Sequence, residues 1–419
     1  MSTISIEDLR FADWMRSGDA VTWLGSTAEP VALISRLDAQ AGDCPHFSTL
    51  LSLSFAEDLR PEHPNVTFKS FGGAGTNKRF YPASAGGVIA CNVSNLCQLI
   101  AAGNIRVEVA LVQVSGPDDQ GRYNLGLGVQ HMQTAIEKAR VVIGQVNRNV
   151  PWTFGDTLVE GSAFDVLVEE DTPIIEPPQS EPTSLDSVIG EHIAKLVADG
   201  SVIQLGIGAV PNAVARALRA KRRLGVHAGV IGDGVLDLIE AGAIDNSRKE
   251  IDPGLTVTMG LLGSHRLNRY ADRNMSLRVR SPLYTHDPVV LSQLSRIVAI
   301  NSALEVDLTG QINAETAMGR HIGTIGGQGD FMRAAMRSRE GRSIIALPAT
   351  ARRGTTSRIV ARLADGAVTT PRADADIIVT EYGIAELRGR SLDERAAAMI
   401  AIAAPEFRKD LSAAAMKLC

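Results

Sequence analysis

The stretch DGSVIQLGIGAVPNAV (Asp199–Val214) has a partner earlier in the chain, GDAVTWLGSTAEPVAL (Gly18–Leu33). Laid together, they match Val21 with Val202, Leu24 with Leu205, Gly25 with Gly206, Ala28 with Ala209 and Pro30 with Pro211. Each is a short apolar run, then a turn with glycine, then a helical pattern. Two further matches keep the same order. VALVQVSGPDDQG (Val109–Gly121) lies over VAINSALEVDLTG (Val298–Gly310), and Met132 and Ala135 lie over Met332 and Ala335. Co-linear matches of this kind indicate a tandem duplication. The alternation predicts an α/β fold of two related domains, each a mainly parallel sheet flanked by helices. It also places the active site between the domains, where strand-end loops face one another.

A proline-rich stretch, DTPIIEPPQSEPTS (Asp171–Ser184), interrupts the pattern near the middle. Pro173, Pro177, Pro178 and Pro182 disfavour helix and central strand, so the stretch reads as a surface linker. The expected organisation is an N-terminal domain over 1–172, a linker over 173–184 and a C-terminal domain over 185–419. Ser184 is the expected cap of a helix with the apolar stripe Leu185, Val188, Ile189, Ile193, Leu196 and Val197. His192 falls in that stripe and reads as a packed core residue.

Composition narrows the class. At 419 residues two domains are the natural expectation, and 45% apolar with 21% charged residues suits a well-buried enzyme. The formal charge of −5 provides no polycationic face, which argues against nucleic acid as a partner. No secretory signal and no apolar run of membrane-spanning length is legible, so no membrane association and a cytoplasmic location are expected. Cys44, Cys91, Cys97 and Cys419 form no C-x-x-C pair and read as reduced thiols.

The stretch LGVHAGVIGDG (Leu224–Gly234) carries further meaning when read with INSALEVDLTGQINAE (Ile300–Glu315), IGGQGDFMRAA (Ile325–Ala335), SRIV (Ser357–Val360) and VTEYGIAELRG (Val379–Gly389). In the first half, VALVQVSGPDDQGRYNLG (Val109–Gly126) and GQVNRNVPWTFGD (Gly144–Asp156) join them. Together these resemble the acetyl-CoA hydrolase/transferase family, the class I CoA-transferases that include 4-hydroxybutyrate and butyrate:acetate CoA-transferases. The resemblance implies a CoA-transferase-like fold, acyl-CoA and a small carboxylate as partners, coenzyme A as a substrate or product moiety, and a homo-oligomer. In that family the first stretch reads roughly G-[IV]-H-[ST]-E-M-x-x-D-G, and its glutamate attacks the acyl-CoA and carries CoA as a glutamyl thioester. Here His227 and the pair Asp233–Gly234 set the register, and the glutamate position falls on Gly229.

The other candidate residues follow from the same motifs. The QLGIG turn, Gln204, Leu205, Gly206, Ile207 and Gly208, precedes a helix expected near Pro211. Its glycines let backbone N–H groups approach an anion at a helix N-terminus. By itself it reads as a tight turn; the resemblance assigns it to CoA. Gly326 and Gly327 precede a helix expected near Asp330 and would line a pocket for the thioester carbonyl. Arg352 is the candidate basic contact to CoA. Glu305 and Glu381 are candidate general bases, and His227 a candidate to hold a water; Asp307 and Glu315 read as structural carboxylates. FGGAGTNKRFY (Phe71–Tyr81) is the candidate lining of the acyl side. His265 and His286 read as isolated, and no metal-ligand pattern occurs.

A glycine can hold neither an acyl anhydride nor a CoA thioester, so the usual transfer route is expected to be lost. The missing side chain would leave a space that water could fill, given polar partners. Thioester hydrolysis by water is the favoured expectation. The alternatives are a CoA-transferase with a relocated nucleophile and a non-catalytic acyl-CoA-binding protein.

Overall fold

The computed structural model describes residues 2–56, 63–72, 74–80, 87–178, 180–363 and 367–417. Gly73 and Tyr81 of the acyl-side stretch, Gln179 of the linker and Cys419 lie outside the described residues. The chain forms two compact units: Met1–Pro177 with Val257–Thr285 and Arg320–Gly326, and Pro178–Thr256 with His286–Gly319 and Gly327–Cys419.

The first unit is built on strands β1 (Ser2–Ile4), β2 (Asp19–Trp23), β3 (Phe47–Leu51), β4 (Val66–Ser70), β5 (Gly87–Val88), β6 (Val109–Val114), β7 (Val141–Val146) and β8 (Val166–Glu169). They lie in the order β1-β8-β7-β6-β2-β3-β4-β5 and every pair is parallel. Central β2, β6 and β7 are buried at every residue, which is why their sequences are nearly unbroken apolar runs. Helix Val31–Gln40 follows β2 and turns Leu33, Ile34 and Leu37 onto a core that includes Phe11, Trp23, Phe47, Leu111 and Ile143.

Within this unit the GQVNRNVPWTFGD stretch has a physical purpose. Phe154 O accepts from Val279 N at 2.7 Å, and Val279 O accepts from Asp156 N at 2.9 Å. Asp156 pairs with Arg280 at 2.9 Å and also accepts from Ser281 N. Gly155 stands between, at φ +129°, with its α-carbon against the Val279 backbone. Backbone approach this close leaves no room for a side chain.

In the second unit the principal strands are β9 (Val202–Leu205), β10 (Gly225–Ile231), β11 (Ile297–Ser302), β12 (Arg342–Ala346), β13 (Ile377–Thr380) and β14 (Gly383–Glu386). Their order is β10-β9-β11-β12-β13-β14, parallel throughout except for the final β13–β14 hairpin. The duplication has its counterpart in space. β2 pairs with β6 in the first unit as β9 pairs with β11 in the second, although the register differs by one residue: Val21 faces Val109, while Val202 faces Ile297. Met132 and Ala135, and Met332 and Ala335, are fully buried on helices Met132–Lys138 and Gln328–Arg337.

Details of the helix after the linker depart from expectation. Thr183, not Ser184, is the cap; it forms a reciprocal capping box with Asp186, and the helix runs Ser184–Leu196. Leu185 and Val188 lie 45% and 37% exposed, while Ile189, Gly190 and Ile193 are buried. Gly190 explains the narrowing: a Cβ there would fall 2.8 Å from Ala213 O, so helices Ser184–Leu196 and Ala209–Ala217 meet backbone to backbone. His192 is half-buried, with Nδ1 3.2 Å from Thr380 O.

Candidate active site

The C-terminal ends of parallel strands, where carbonyls run out and helices begin, are the usual place for ligands in open α/β sheets. In the second unit two candidate segments follow that edge. β9 leads through Gly206 and Ile207 to Gly208, which caps helix Ala209–Ala217 with no side-chain hydrogen bond; that helix begins two residues earlier than Pro211. Gly208 has φ +114°, a conformation that L side chains rarely adopt. Ile207 is 46% exposed beside it. Gln204 and Asn301 exchange side-chain amide hydrogen bonds at 3.2 and 3.0 Å and so tie β9 to β11. β10 ends at Ile231, and Gly232 caps helix Asp233–Glu240, again without a side-chain bond. The N-terminal end of a helix suits an anionic ligand.

β10 itself is held from below by Lys249. Its buried Nζ donates to Val226 O at 3.0 Å and Leu255 O at 2.7 Å, and burial pushes its pKa down to about 8. A Cβ on Gly225 would meet the Lys249 chain at 2.7 Å, which accounts for glycine at the strand start.

Higher on β10, His227 is buried and Gly229 is partly exposed. The space beside Gly229 is not an empty, water-sized gap. The imidazole of His286 fills it: a Cβ on Gly229 would lie 3.1 Å from Nε2 and 3.2 Å from Cε1. The same ring abuts Gly327, where a Cβ would lie 2.5 Å from Nε2 and 2.8 Å from Cδ2. Phe331 stands one turn after Gly327, with its ring edge-on to the imidazole, centroids 4.9 Å apart at 66°. His286 is therefore not isolated: it is clamped between two glycines and a phenylalanine. Burial, with a further push from His227, lowers its pKa to about 3, so the ring is neutral near pH 7.

The remaining candidates are placed as follows. Gly327 caps helix Gln328–Arg337, which starts before Asp330; Asp330 lies in the first turn instead of at the cap. Gly326 (φ +57°) belongs to the first unit, where its carbonyl accepts from Val93 N at 3.0 Å. Glu305, after β11, accepts from Asn313 Nδ2 at 3.0 Å. Glu381, after β13, accepts from Ala349 N at 2.8 Å. Asp307 accepts from Thr309 and Gln311 within its own turn, and Glu315 from Thr369, so both are structural. Arg352 occupies the left-handed turn between Thr350–Ala351 and Thr356–Ser357 and touches the exposed Met318. In the first unit, Phe71 packs edge-on to His131 and accepts from Thr324 Oγ1 at 2.6 Å. Among the described residues no group of three or more His, Cys, Asp or Glu is arranged to hold a metal, and no helix is long and apolar enough to cross a membrane.

His286 is the residue that sequence reasoning missed. Its only local signal is Asp287–Pro288 behind it, a helix-start pair whose Asp287 caps Pro288–Leu291. Nothing in the spacing ties position 286 to 229 or 327. A direct check of the clamp is Gly327→Ala. Its φ of −97° accepts alanine, so any cost is steric, and overpacking of this kind costs about 1–3 kcal/mol. Thermal unfolding should show that loss, whereas an unchanged midpoint would mean the ring moves aside freely.

The chain belongs to the acetyl-CoA hydrolase/transferase family. The N-terminal domain of that family matches residues 89–176 and the C-terminal domain residues 263–415. The chain is 40% identical over 322 residues to the 4-hydroxybutyrate coenzyme A transferase of Clostridium kluyveri, covering 77% of this chain and 75% of that one. An acetyl-CoA hydrolase of Candida albicans is 28% identical over 274 residues, covering 60% of this chain and 50% of that one. Among solved structures, RipA from Yersinia pestis superposes with a TM-score of 0.93 at 34% identity, covering 99% of this chain and 97% of that one. The 4-hydroxybutyrate CoA-transferase of Porphyromonas gingivalis gives 0.85 at 32% identity with the same coverage.

Proposed function

We propose that this protein hydrolyses acyl-CoA thioesters, with water taking the place of the glutamate that carries CoA in the transferases. One observation carries the reading: position 229, where the motif register puts that glutamate, is a glycine whose side-chain volume is taken by an imidazole. Without a carboxylate there, neither a mixed anhydride nor a glutamyl thioester forms at that position. Water adds to the thioester carbonyl, the C–S bond breaks, and the products are the free acid and CoA thiol. In this reading Gln204, Leu205, Gly206, Ile207 and Gly208 contact the CoA moiety, with Arg352 at its polar groups and Gly326 and Gly327 near the acyl carbonyl.

Transfer through a relocated carboxylate is less well supported, because Glu305 and Glu381 are each engaged by a neighbouring amide. The test is a chromatographic assay of the full chain with a panel of short acyl-CoA thioesters, with and without acetate. Free CoA should appear at the same rate in both. Acetyl-CoA formed from another acyl-CoA only when acetate is added would reject hydrolysis in favour of transfer. Tight CoA binding without either product would establish a binding protein instead.

A further inference from the structure

Within the second unit, the opposite edge of the sheet from the candidate active site carries a cavity of about 940 Å³. Val298, Arg342 and Ile377, at the N-terminal ends of β11, β12 and β13, line it. β14 runs antiparallel to β13 and so returns Glu386 to the same edge, with Arg388 and Arg390 just beyond. Val197, Val298, Ile377 and Ser201 are buried and give the cavity a mostly apolar wall. None of Gln204, Gly206, Gly208, Gly327 or Arg352 reaches it. Its volume is in the upper part of the range of small-molecule sites, more than a single inorganic anion fills.

Charge decides what such a cavity takes. Six cations line it: Lys195, Lys221, Arg296, Arg342, Arg388 and Arg390. Three are neutralised locally: Arg296 pairs with Glu340 at 3.2 Å, Arg390 with Glu394 at 3.5 Å, and Arg388 with the buried Asp376 at 2.7 Å. Arg388 also donates to Gly341 O at 3.2 Å, and Asp376 accepts from Ser343 N at 3.0 Å, so this wall is tied to β12. Among the described residues, Lys195, Lys221 and Arg342 have no ion pair or side-chain hydrogen bond, and neither has Glu386. Three cations against one carboxylate leave a surplus of two positive charges. A phosphomonoester carries about −1.5 to −2 near neutral pH on three acceptor oxygens, which matches that surplus. The unpaired carboxylate suits hydroxyl donors, and the apolar wall suits an uncharged body. We infer that this cavity is a second ligand site, separate from the acyl-CoA residues, for a phosphomonoester of a hydroxyl-bearing small molecule, a nucleoside or a sugar.

The experiment titrates AMP, glucose 6-phosphate and inorganic phosphate calorimetrically into the full chain and its variants. At least one ester should bind saturably, and at least about tenfold more tightly than inorganic phosphate, the worth of one further charge-assisted contact. Binding of AMP alone identifies a nucleotide site and of glucose 6-phosphate alone a sugar phosphate site; either result, or both, supports the inference. Lys221→Gln combined with Arg342→Gln removes two of the three unpaired cations and should weaken the ester about 100-fold, about tenfold for each contact. Lys195→Gln with Lys221→Gln serves if circular dichroism shows that the first pair fails to fold. Lys409→Gln with Lys417→Gln makes the same change in net charge at two exposed positions that do not line the cavity, and should leave binding unchanged. The inference is overturned if neither ester binds saturably, or if inorganic phosphate binds as tightly. It is equally overturned if a folded cavity variant binds like the native chain, as an ester lodged among the acyl-CoA residues would, or if the control pair weakens binding as much. Each of these outcomes leaves the hydrolytic reading standing.

Discussion

Gly229→Glu alone is expected to give no acetate-dependent transfer, whereas Gly229→Glu combined with His286→Ala is expected to give it. The motif register suggests that restoring one glutamate should restore the transferase, but the packing says otherwise. A Cβ at 229 already sits 3.1 Å from Nε2 of His286 and 3.7 Å from Phe331, before any carboxylate is added. The glutamate must either point away from the crevice or drive the ring out of its clamp, at an overpacking cost of about 1–3 kcal/mol. Removing the imidazole frees the volume that the carboxylate needs. Formation of acetyl-CoA from a longer acyl-CoA and acetate, followed chromatographically, reads the outcome. Efficient transfer by the single variant would show that the ring yields easily. Its absence in a well-folded double variant would show that the acceptor side has diverged as well.

The largest expected effect on stability is Gly155→Ala. The φ of +129° is one that L side chains rarely adopt, and the new Cβ would fall 2.1 Å from Val279 O, 2.8 Å from Val279 C and 3.0 Å from Val279 N. All three atoms are backbone, so no rotamer change relieves the clash. The loss should exceed about 4 kcal/mol, the range reserved for severe strain and overpacking. At roughly 2–4 °C per kcal/mol for a unit of this size, the unfolding midpoint should fall by roughly 8 °C or more. Gly42→Ala is the matched control: no atom lies within 4 Å of its Cβ, and it should be nearly silent. A shift at Gly155 no larger than at Gly42 would mean that the bridge to Val279 is not rigid.

The strands were legible because buried parallel strands are continuous apolar runs, as in VALVQV (Val109–Val114) and VAIN (Val298–Asn301), and because the two halves repeat them in order. The glycine turns were legible for a similar reason: Gly208 sits where its backbone requires it. Features that depend on distant partners were not. Leu185 and Val188 obey helical spacing yet lie toward solvent, because Gly190 decides which face meets the next helix. No local pattern announces that Val257–Thr285 packs with the first unit through Gly155 and Asp156. His286 is the sharpest case. The glycine at 229 was readable, but what fills the space beside it comes from a residue far along the chain, and contact between two positions leaves no mark on either one's neighbours.

The clamp also couples two distant positions of the sequence. A Cβ at 229 would lie 3.1 Å from His286 Nε2, so a side chain there and the ring at 286 compete for one volume. A change at either position is therefore felt at the other, and a larger side chain at 229 requires the ring to shift. The two positions, 57 residues apart in sequence, therefore act as one packing unit, and the bulk that either can carry is set by the other.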